Sequence, residues 1–224
     1  MCTPTVLRRA LSSASALGLL LLGACQVPES AMHTQSQTQP GLPGVAPGSM
    51  QLEPLPATLA GVPVTQPPYQ NVAVNWKHRL DQPYVFLEHA GDYRMIGQSI
   101  SRMLGIAEGI GLRSSGPLFC LYYDDPGATA VQQLRARVCL PVDQTPAPGL
   151  GLGYDVLPST TVVYSVVAGP SWEVPRVYPS LYDYLAERGW AESGPLRETY
   201  LNLTEAPSPQ GLLTEVQIPW GARH

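Results

Sequence analysis

The sequence carries little charge and no dense cluster of basic residues. Only 13% of its 224 residues are Asp, Glu, Lys or Arg, and the formal net charge is −4. Proteins that bind nucleic acid neutralise its phosphates with clustered Lys and Arg, so this composition argues against nucleic acid as a partner. The apolar fraction of 44% is ordinary for a globular domain. The sequence therefore predicts a folded domain that recognises something else.

Cysteine is also scarce, with four residues in the whole chain. Two of them, Cys120 and Cys139, fall in the segment that is predicted to fold, and they lack the nearby histidine pair that would complete a usual zinc site. The sequence therefore predicts no metal site. Both cysteines lie on consecutive predicted strands of one hairpin, at similar distances from its loop. A disulfide in an oxidising compartment and a pair of free thiols are both open alternatives.

The first 25 residues have the pattern of an export signal. Arg8 and Arg9 precede an apolar run over 10–22 that is too short for a membrane-spanning helix. The run leads into Leu-Leu-Gly-Ala before Cys25, which resembles a bacterial lipobox, where the cysteine becomes the lipidated first residue of the mature protein. An ordinary secretory signal is the alternative. Both interpretations predict export, and the first predicts a lipid-anchored protein of the bacterial cell envelope, facing the periplasm or the exterior.

A proline-rich segment over 26–69 separates this signal from the rest of the chain. It contains nine prolines, many Gln, Ser and Thr residues and almost no charge. Such a composition buries too little apolar surface to offset the entropy of ordering, so it predicts a disordered tether. The remaining residues, 70–224, number about 155 and are enough for one domain with a single hydrophobic core.

The sequence of this domain repeats itself at an offset of 78 residues. The tetrapeptide Ser-Gly-Pro-Leu at 115–118 recurs at 193–196, and Tyr122 recurs as Tyr200. Such a period is too long for a solenoid unit. It predicts one duplicated half-domain, with the two copies packed about a pseudo-two-fold axis.

The two halves are expected at about 70–148 and 149–224, with a cleft between them. One matched pair of positions differs in charge, because Glu198 of the second half stands where the first half has Cys120. A carboxylate is therefore expected on one side of the cleft only.

Each half is predicted to contain a strand, a helix and then a pair of strands. Apolar residues at steps of three and four predict the first helix between Ile96 and Ile110, with Gly111 as its C-terminal stop. The same spacing predicts the second helix between Pro179 and Gly189. Each helix leads into a Ser-Gly-Pro-Leu turn, which begins the next strand.

The strand after this turn has two different faces, because side chains alternate along a strand. Phe119 and Leu121 lie on an apolar face, which we expect the helices to cover. The opposite face is then expected to line the cleft. Its residues are Cys120, Tyr122, Glu198 and Tyr200.

Burying the Glu198 carboxylate is costly unless its charge is compensated. Three interpretations remain open from the residues alone. In the first, the carboxylate pairs with Arg135, Arg137 or Arg197, or reaches solvent. In the second, it is the counter-ion of a cationic or aromatic ligand. In the third, it is a general base that activates water.

Four segments of the domain occur in a characteristic order. They are Gly91-Asp92-Tyr93, Leu121-Tyr122-Tyr123-Asp124-Asp125-Pro126, Val138-Cys139-Leu140-Pro141-Val142 and Gly194-Pro195-Leu196-Arg197-Glu198-Thr199-Tyr200. Together they resemble the GyrI-like domain, also called the AraC-type or bacterial effector-binding domain. The resemblance implies an α+β fold of duplicated β-α-β-β halves. Two helices lie on the outer face of its antiparallel sheet, which cradles a small-molecule site at the pseudo-symmetry axis.

The resemblance also implies the residues of the site. In this family the Glu of the Gly-Pro-x-x-Glu-x-Tyr stretch lies at the floor of the pocket, and aromatic residues line its walls. The expected ligand-binding residues are Glu198, Tyr200, Tyr122, Tyr93, Trp172 and Cys120.

Family members bind lipophilic cations and drugs, inhibit gyrase, or hydrolyse electrophilic small molecules with the Glu. The export signal disfavours the cytoplasmic roles. The leading hypothesis is an envelope lipoprotein that binds a lipophilic, cationic or aromatic small molecule, with Glu198 as counter-ion and no cofactor. The alternative is a hydrolase with Glu198 as general base and Tyr200 or Tyr122 orienting water or substrate. A filled cleft would indicate a protein-interaction module, and a haem site through His78 or His89 carries little weight.

Overall fold

The computed structural model describes residues 58–59, 61–146, 151–206 and 208–222. The predicted signal peptide, the predicted lipidation site Cys25 and most of the predicted tether lie outside these residues. Among the described helices, none is both long enough and apolar enough to cross a membrane.

The described residues form eleven strands and two α-helices, which confirms the α+β class. In chain order the elements are β1 (Thr58–Leu59), β2 (Val62–Thr65), β3 (Asn75–Arg79), β4 (Gln82–Ala90), α1 (Ile96–Gly109), β5 (Phe119–Tyr122), β6 (Arg135–Pro141), β7 (Gly153–Leu157), β8 (Thr160–Ala168), α2 (Tyr178–Glu187), β9 (Trp190–Glu192), β10 (Leu196–Tyr200) and β11 (Leu213–Ala222). The sheet runs in the order β1-β2-β8-β11-β10-β5-β6-β4-β7, with β3 also paired to β8 and β9 to β11. All of these pairings are antiparallel except that of β2 with β8.

The 78-residue offset recurs in the positions of the elements. Strands β3, β4, β5 and β6 correspond to β7, β8, β10 and β11, and α1 corresponds to α2. The first strand of each half pairs with the other half, since β3 pairs with β8 and β7 pairs with β4. At the centre β5 pairs with β10, and Cys120 lies directly opposite Glu198. The diverged pair of positions therefore lies on the pseudo-two-fold axis, and each half has one leading strand in addition to the predicted β-α-β-β unit.

Both helices cover the face of the sheet that carries Glu198. From α1, Met103 and Ala107 pack in one core with Cys120. From α2, Tyr178 reaches the Glu198 carboxylate with its hydroxyl. The prediction that the helices cover the opposite face is therefore wrong.

The strand pattern could not distinguish the two faces, because β5 is buried on both. Phe119 and Cys120, which are adjacent and point to opposite sides, are both 0% exposed. Phe119 and Leu121 pack with Tyr84 and Cys139 in a separate cluster on the far side of the sheet. The helices lie instead over the face that carries Cys120 and Tyr200.

The folded domain begins earlier in the chain than predicted. Strand β2 adds to the edge of β8, and its Val64 and Thr65 are buried. Tyr69 is buried in the core beneath α2, and its hydroxyl donates to the carbonyl oxygen of Ala168 at 3.2 Å. The prediction of disorder over 26–69 is therefore wrong for the last part, which contains β2 and Tyr69. The strand was not predicted because prolines surround its few apolar residues. The rest of the predicted tether lies outside the described residues.

The two halves contain one ion pair with its charges reversed. Lys77 Nζ of β3 lies 2.6 Å from Glu215 Oε1 of β11. The matched positions in the other half hold Asp155 of β7 and Arg137 of β6, whose Oδ2 and Nη1 lie 3.0 Å apart. The duplication has therefore kept its geometry while the chemistry of matched positions has diverged.

Candidate functional site

The site centres on Glu198, which β10 presents to the space between the sheet and α2. The residue is only 3% exposed. Its position follows from the Ser-Gly-Pro-Leu turn, which begins β10 so that Glu198 and Tyr200 share one face. A carboxylate in this position has lost its hydration and requires hydrogen bonds from the protein.

Three tyrosine hydroxyls donate to the Glu198 carboxylate. Tyr122 and Tyr200 both donate to Oε2, at 3.1 Å and 3.0 Å. Tyr178 donates to Oε1. The hydroxyls of Tyr122 and Tyr200, which occupy matched positions of the two halves, lie 3.4 Å apart. The carboxylate is therefore held by neutral donors from both halves and from α2.

None of the three predicted arginine partners pairs with Glu198. Arg135 forms an ion pair with Asp124 at 2.9 Å, and Arg137 contacts Glu88 and Asp155. Arg197 points to the opposite face of the sheet, as its place next to Glu198 in β10 requires. Among the described residues, Glu198 has no cationic partner.

Burial raises the pKa of Glu198 above its ordinary value, and the hydrogen bonds from Tyr178, Tyr200 and Tyr122 act against this shift. Burial, followed by the Glu198 charge, also raises the pKa of Tyr122 and Tyr178. These hydroxyls therefore keep their protons and remain donors.

Tyr93, one of the predicted ligand-binding residues, contacts the same cluster. Its ring contacts the Tyr122 ring edge to face, with centroids 5.0 Å apart. Its hydroxyl donates to the carbonyl oxygens of Arg135 at 2.8 Å and Asp124 at 3.2 Å, which fix the ring over the end of β5. Cys120 completes the cluster beneath the tyrosines, where it lies opposite Glu198.

Trp172 lies apart from this cluster. It is 69% exposed and belongs to the 3₁₀ segment Ser171–Val177. The matched position of Tyr93 in the second half is Ser171 rather than an aromatic residue. A role for Trp172 in binding stays a prediction, and the structure does not place it against Glu198.

The sequence analysis missed Tyr178, which is the donor to Glu198 Oε1. Its matched position in the first half is Ile100, which packs beside the core around Cys120. The two neighbours have therefore diverged together, from Ile and Cys in the first half to Tyr and Glu in the second. The difference between Ile100 and Tyr178 is visible at the 78-residue offset, but the contact with Glu198 depends on the packing of α2 on the sheet.

Of the two open alternatives for Cys120 and Cys139, the structure has free thiols and not a disulfide. The register pairs Cys120 with Val138 and Cys139 with Phe119, so the two cysteines are one residue out of step. A shift of one residue places side chains on opposite faces of a sheet. Both residues are free and buried. Burial, followed by the Glu198 charge, raises the pKa of Cys120, so it is a neutral thiol in the site.

Two of the histidines, His78 and His89, lie in the described residues. Both ring nitrogens of His89 are hydrogen bonded, one to Ser99 at 2.9 Å and the other to the carbonyl oxygen of Asp92 at 3.2 Å. His78 is exposed on β3. Within the described part of the chain, no three His, Cys, Asp or Glu residues come together as a metal site would require.

Two cavities in the described residues lie away from Glu198. One of about 200 Å³ lies on the opposite face of the sheet and is lined by Arg197, and one of about 150 Å³ lies beside Tyr164. The carboxylate itself is covered by tyrosines, of which Tyr122 and Tyr178 are partly exposed. A ligand would reach Glu198 by displacing these rings.

The fold is similar to that of several solved structures. The crystal structure of the EcmrR C-terminal domain matches with a TM-score of 0.56 and 17% identity, covering 68% of this chain and 99% of that chain. The crystal structure of a conserved protein from Listeria innocua matches with a TM-score of 0.54 and 11% identity, covering 72% and 95%. A cryo-EM structure of the EcmrR–DNA complex matches with a TM-score of 0.57 and 17% identity, covering 67% of this chain but only 57% of that chain. At these identities the likeness shows the fold alone.

The sequence itself identifies the family. No curated protein matches the chain significantly. A family model for the GyrI-like small molecule binding domain, however, matches residues 74–220, which include every strand of the two halves from β4 to β10 and the three tyrosines around the carboxylate. The predicted resemblance is confirmed, and the chain belongs to the GyrI-like small-molecule-binding domain family.

Proposed function

We propose that this domain binds a lipophilic cation and that Glu198 is the counter-ion. One observation carries the proposal: the Glu198 carboxylate is 3% exposed, yet the described residues supply it with hydroxyl donors and no cation. An ionised carboxylate without a cationic partner is costly in a low-dielectric interior. A cationic ligand would supply the missing charge, and the electron-rich faces of the surrounding tyrosines would add cation–π attraction.

Binding requires the tyrosine cover to open. Tyr122 and Tyr178 would rotate away from the carboxylate and place their rings along the ligand. A hydrogen bond to a charged group contributes about 1.5–3 kcal/mol, so the ligand must replace that interaction with its own charge. Neutral apolar molecules cannot do so, which would make the site selective for cations.

The test compares two ions of the same shape and opposite charge. Tetraphenylphosphonium is expected to bind and to change tryptophan fluorescence, while tetraphenylborate is not. Glu198→Gln should weaken binding of the cation by at least about tenfold, which corresponds to about 1.4 kcal/mol. Tyr200→Phe should weaken it less, because the carboxylate remains.

Glu108→Gln provides the matched control, since Glu108 is an exposed carboxylate on α1. It should leave the affinity unchanged. Equal binding of both ions, or full cation binding by Glu198→Gln, would rule out the counter-ion role. If neither ion binds, the packed tyrosine cluster is better explained as the core of a protein-interaction module.

Hydrolysis with Glu198 as general base is the second candidate. The observation that favours it is the raised pKa of Glu198, because a base works best with a pKa near the working pH. Tyr122 or Tyr200 would orient the water or the substrate. Turnover of reactive electrophiles that is lost in Glu198→Gln would support this function, and no turnover across a broad panel would exclude it.

The lipid anchor is a separate proposal, which rests on the residues before Cys25. We expect the mature protein to carry lipid on Cys25 and to face the periplasm or the exterior. Expression in a bacterial host with an alkyne-labelled fatty acid should label the parent protein and not Cys25→Ser. Label in both proteins, or in neither, would contradict the proposal.

A further inference from the structure

The cavity of about 200 Å³ on the opposite face of the sheet has its own chemistry. Its walls combine apolar side chains with two arginines and a glutamine. They are formed by Arg79, Leu121, Leu157, Pro158, Ser159, Thr160, Val162, Ser193, Gly194, Pro195, Arg197, Gln217 and Pro219. The volume is below the ~300–1,000 Å³ of sites for drug-sized ligands, so it suits a small molecule.

Arg197 is the central charge of this cavity and is only 6% exposed. Its guanidinium stacks on the Phe119 ring at 3.8 Å, and its Nε donates to Thr199 Oγ1 at 3.0 Å. Among the described residues, its two Nη groups have no hydrogen-bonding or ion-pair partner. The stack therefore fixes the plane of the guanidinium and leaves a pair of parallel donors available, which is the geometry that binds carboxylate and phosphate.

Arg79 and Gln217 also have buried polar atoms without partners. Arg79 Nη2 donates to the carbonyl oxygen of Pro158 at 2.7 Å, but its Nε has no partner. Gln217 Nε2 donates to Glu215, and its Oε1 has none. Buried polar groups are nearly always hydrogen bonded, so the unpaired donor of Arg79 and the unpaired acceptor of Gln217 are available to a molecule in the cavity.

The neighbouring Glu215 carboxylate offsets only part of the charge of this cluster, because it is shared with Lys77. Glu215 is engaged by Lys77, whose Nζ lies 2.6 Å away. Burial, followed by the charge of Arg79, lowers the pKa of Arg197 to about 10, so both guanidiniums remain charged at neutral pH. Two cations held near each other in a partly apolar cavity are stabilised by an anion.

In the first half of the domain, the position equivalent to this cavity is filled by side chains. At the 78-residue offset Val162 corresponds to Tyr84, and Arg197 corresponds to Phe119. Tyr84 and Phe119 are 2% and 0% exposed, and their rings pack edge to face at 5.5 Å, so they fill the equivalent space. In the second half the smaller valine opens the space, and the arginine places a charge in it.

We propose that this cavity binds a small organic anion, with the anionic carboxylate or phosphate group on Arg197 and Arg79. The apolar walls hold the body of the ligand, and Gln217 Oε1 accepts a hydrogen bond from a hydroxyl on it. The site is distinct from the Glu198 site, which lies on the other face of the same strand.

The experiment is a calorimetric titration of the whole protein with 4-hydroxybenzoate, phenyl phosphate and inorganic phosphate. The neutral 4-hydroxybenzamide serves as the uncharged control. At least one organic anion should bind saturably, while the neutral amide should not. Arg197→Met and Arg79→Gln should each weaken that binding by at least about tenfold. Binding of inorganic phosphate alone would overturn the organic-anion proposal.

Two controls separate loss of the site from loss of the fold. Arg102→Met removes an exposed arginine of α1 and should leave anion affinity within about twofold. Arg197→Met should keep the tetraphenylphosphonium affinity of the parent protein. No saturable binding of any anion overturns the proposal, as does equal weakening by Arg102→Met.

Discussion

Burial disfavours the ionised form of the Glu198 side chain. Its pKa is raised because burial disfavours the charged form more than the three tyrosine donors favour it. The folded protein therefore holds the Glu198 proton more tightly than the unfolded chain does, where the pKa is about 4.3. This contribution to stability is fully present below the unfolded pKa and is lost as the pH rises through the folded pKa.

We predict that Glu198→Gln removes this pH dependence. The amide keeps the volume of the side chain and cannot ionise, so the variant should gain stability relative to the parent as the pH rises from about 4 to about 8. Each unit by which the folded pKa exceeds the unfolded one corresponds to about 1.4 kcal/mol. Urea unfolding across this range measures the difference. Glu108→Gln should follow the parent, and parallel curves for Glu198→Gln and the parent would contradict the assignment.

The tyrosine donors are not equivalent, because they are divided unevenly between the carboxylate oxygens. Tyr178 is the donor to Oε1, whereas Tyr122 and Tyr200 share Oε2. Tyr178→Phe should therefore destabilise the protein at neutral pH by about 1.5–3 kcal/mol, and Tyr122→Phe by less. Urea unfolding at pH ~7 compares the two variants. A larger effect of Tyr122→Phe would contradict this division.

The sequence predicted those site residues that differ or recur between the two copies of the duplicated unit. The mismatch of Cys120 and Glu198 indicated the charged position, and the matched tyrosines at 122 and 200 indicated its walls. Tyr178 was not predictable from strand alternation, because it reaches the carboxylate from a helix. Its contact depends on how α2 lies over the sheet, which no local pattern specifies.

At the level of strands and helices, the sequence predicted the duplicated units, assigned the helices to the wrong face of the sheet and left the disulfide open. Alternation in β5 separated its two faces correctly and could not say which face the helices cover, because both faces are apolar. The register of the hairpin is incompatible with the disulfide, because Cys120 pairs with Val138 and Cys139 is one residue further along. Such a shift depends on the loop between the strands rather than on their composition.

The segment before β3 provides a prediction at this level. Removal of residues 1–69 should destabilise the domain by roughly 3 kcal/mol or more, because it exposes the surfaces covered by Val64 and Tyr69. Removal of residues 1–57 should have little effect. Urea unfolding compares the two shortened proteins. Hydrogen exchange in β8 should accelerate only in the protein that lacks residues 1–69. Equal stability of both would mean that β2 and Tyr69 add nothing to the fold.

Across the whole molecule, the second half has acquired polar groups on both faces of its central strand. Glu198 faces the helices and Arg197 faces the far side, where the first half has Cys120 and Phe119. The first half supplies the packed, apolar version of the same geometry. The charged groups of both proposed sites therefore come from the second half, while Tyr122 and Tyr93 of the first half contribute aromatic rings to the Glu198 cluster.

The most direct test of the Glu198 site is the proton balance of cation binding. A cation beside the carboxylate lowers the Glu198 pKa, so binding should release a proton at pH values between the lowered pKa of the complex and the pKa of the free folded protein. Titration calorimetry with tetraphenylphosphonium in two buffers of different ionisation enthalpy counts the protons released. The account predicts proton release in the parent protein that rises as the pH is lowered from about 8 toward about 5 and is lost in Glu198→Gln. Cation binding without proton release throughout this range, or the same release in Glu198→Gln, would contradict it.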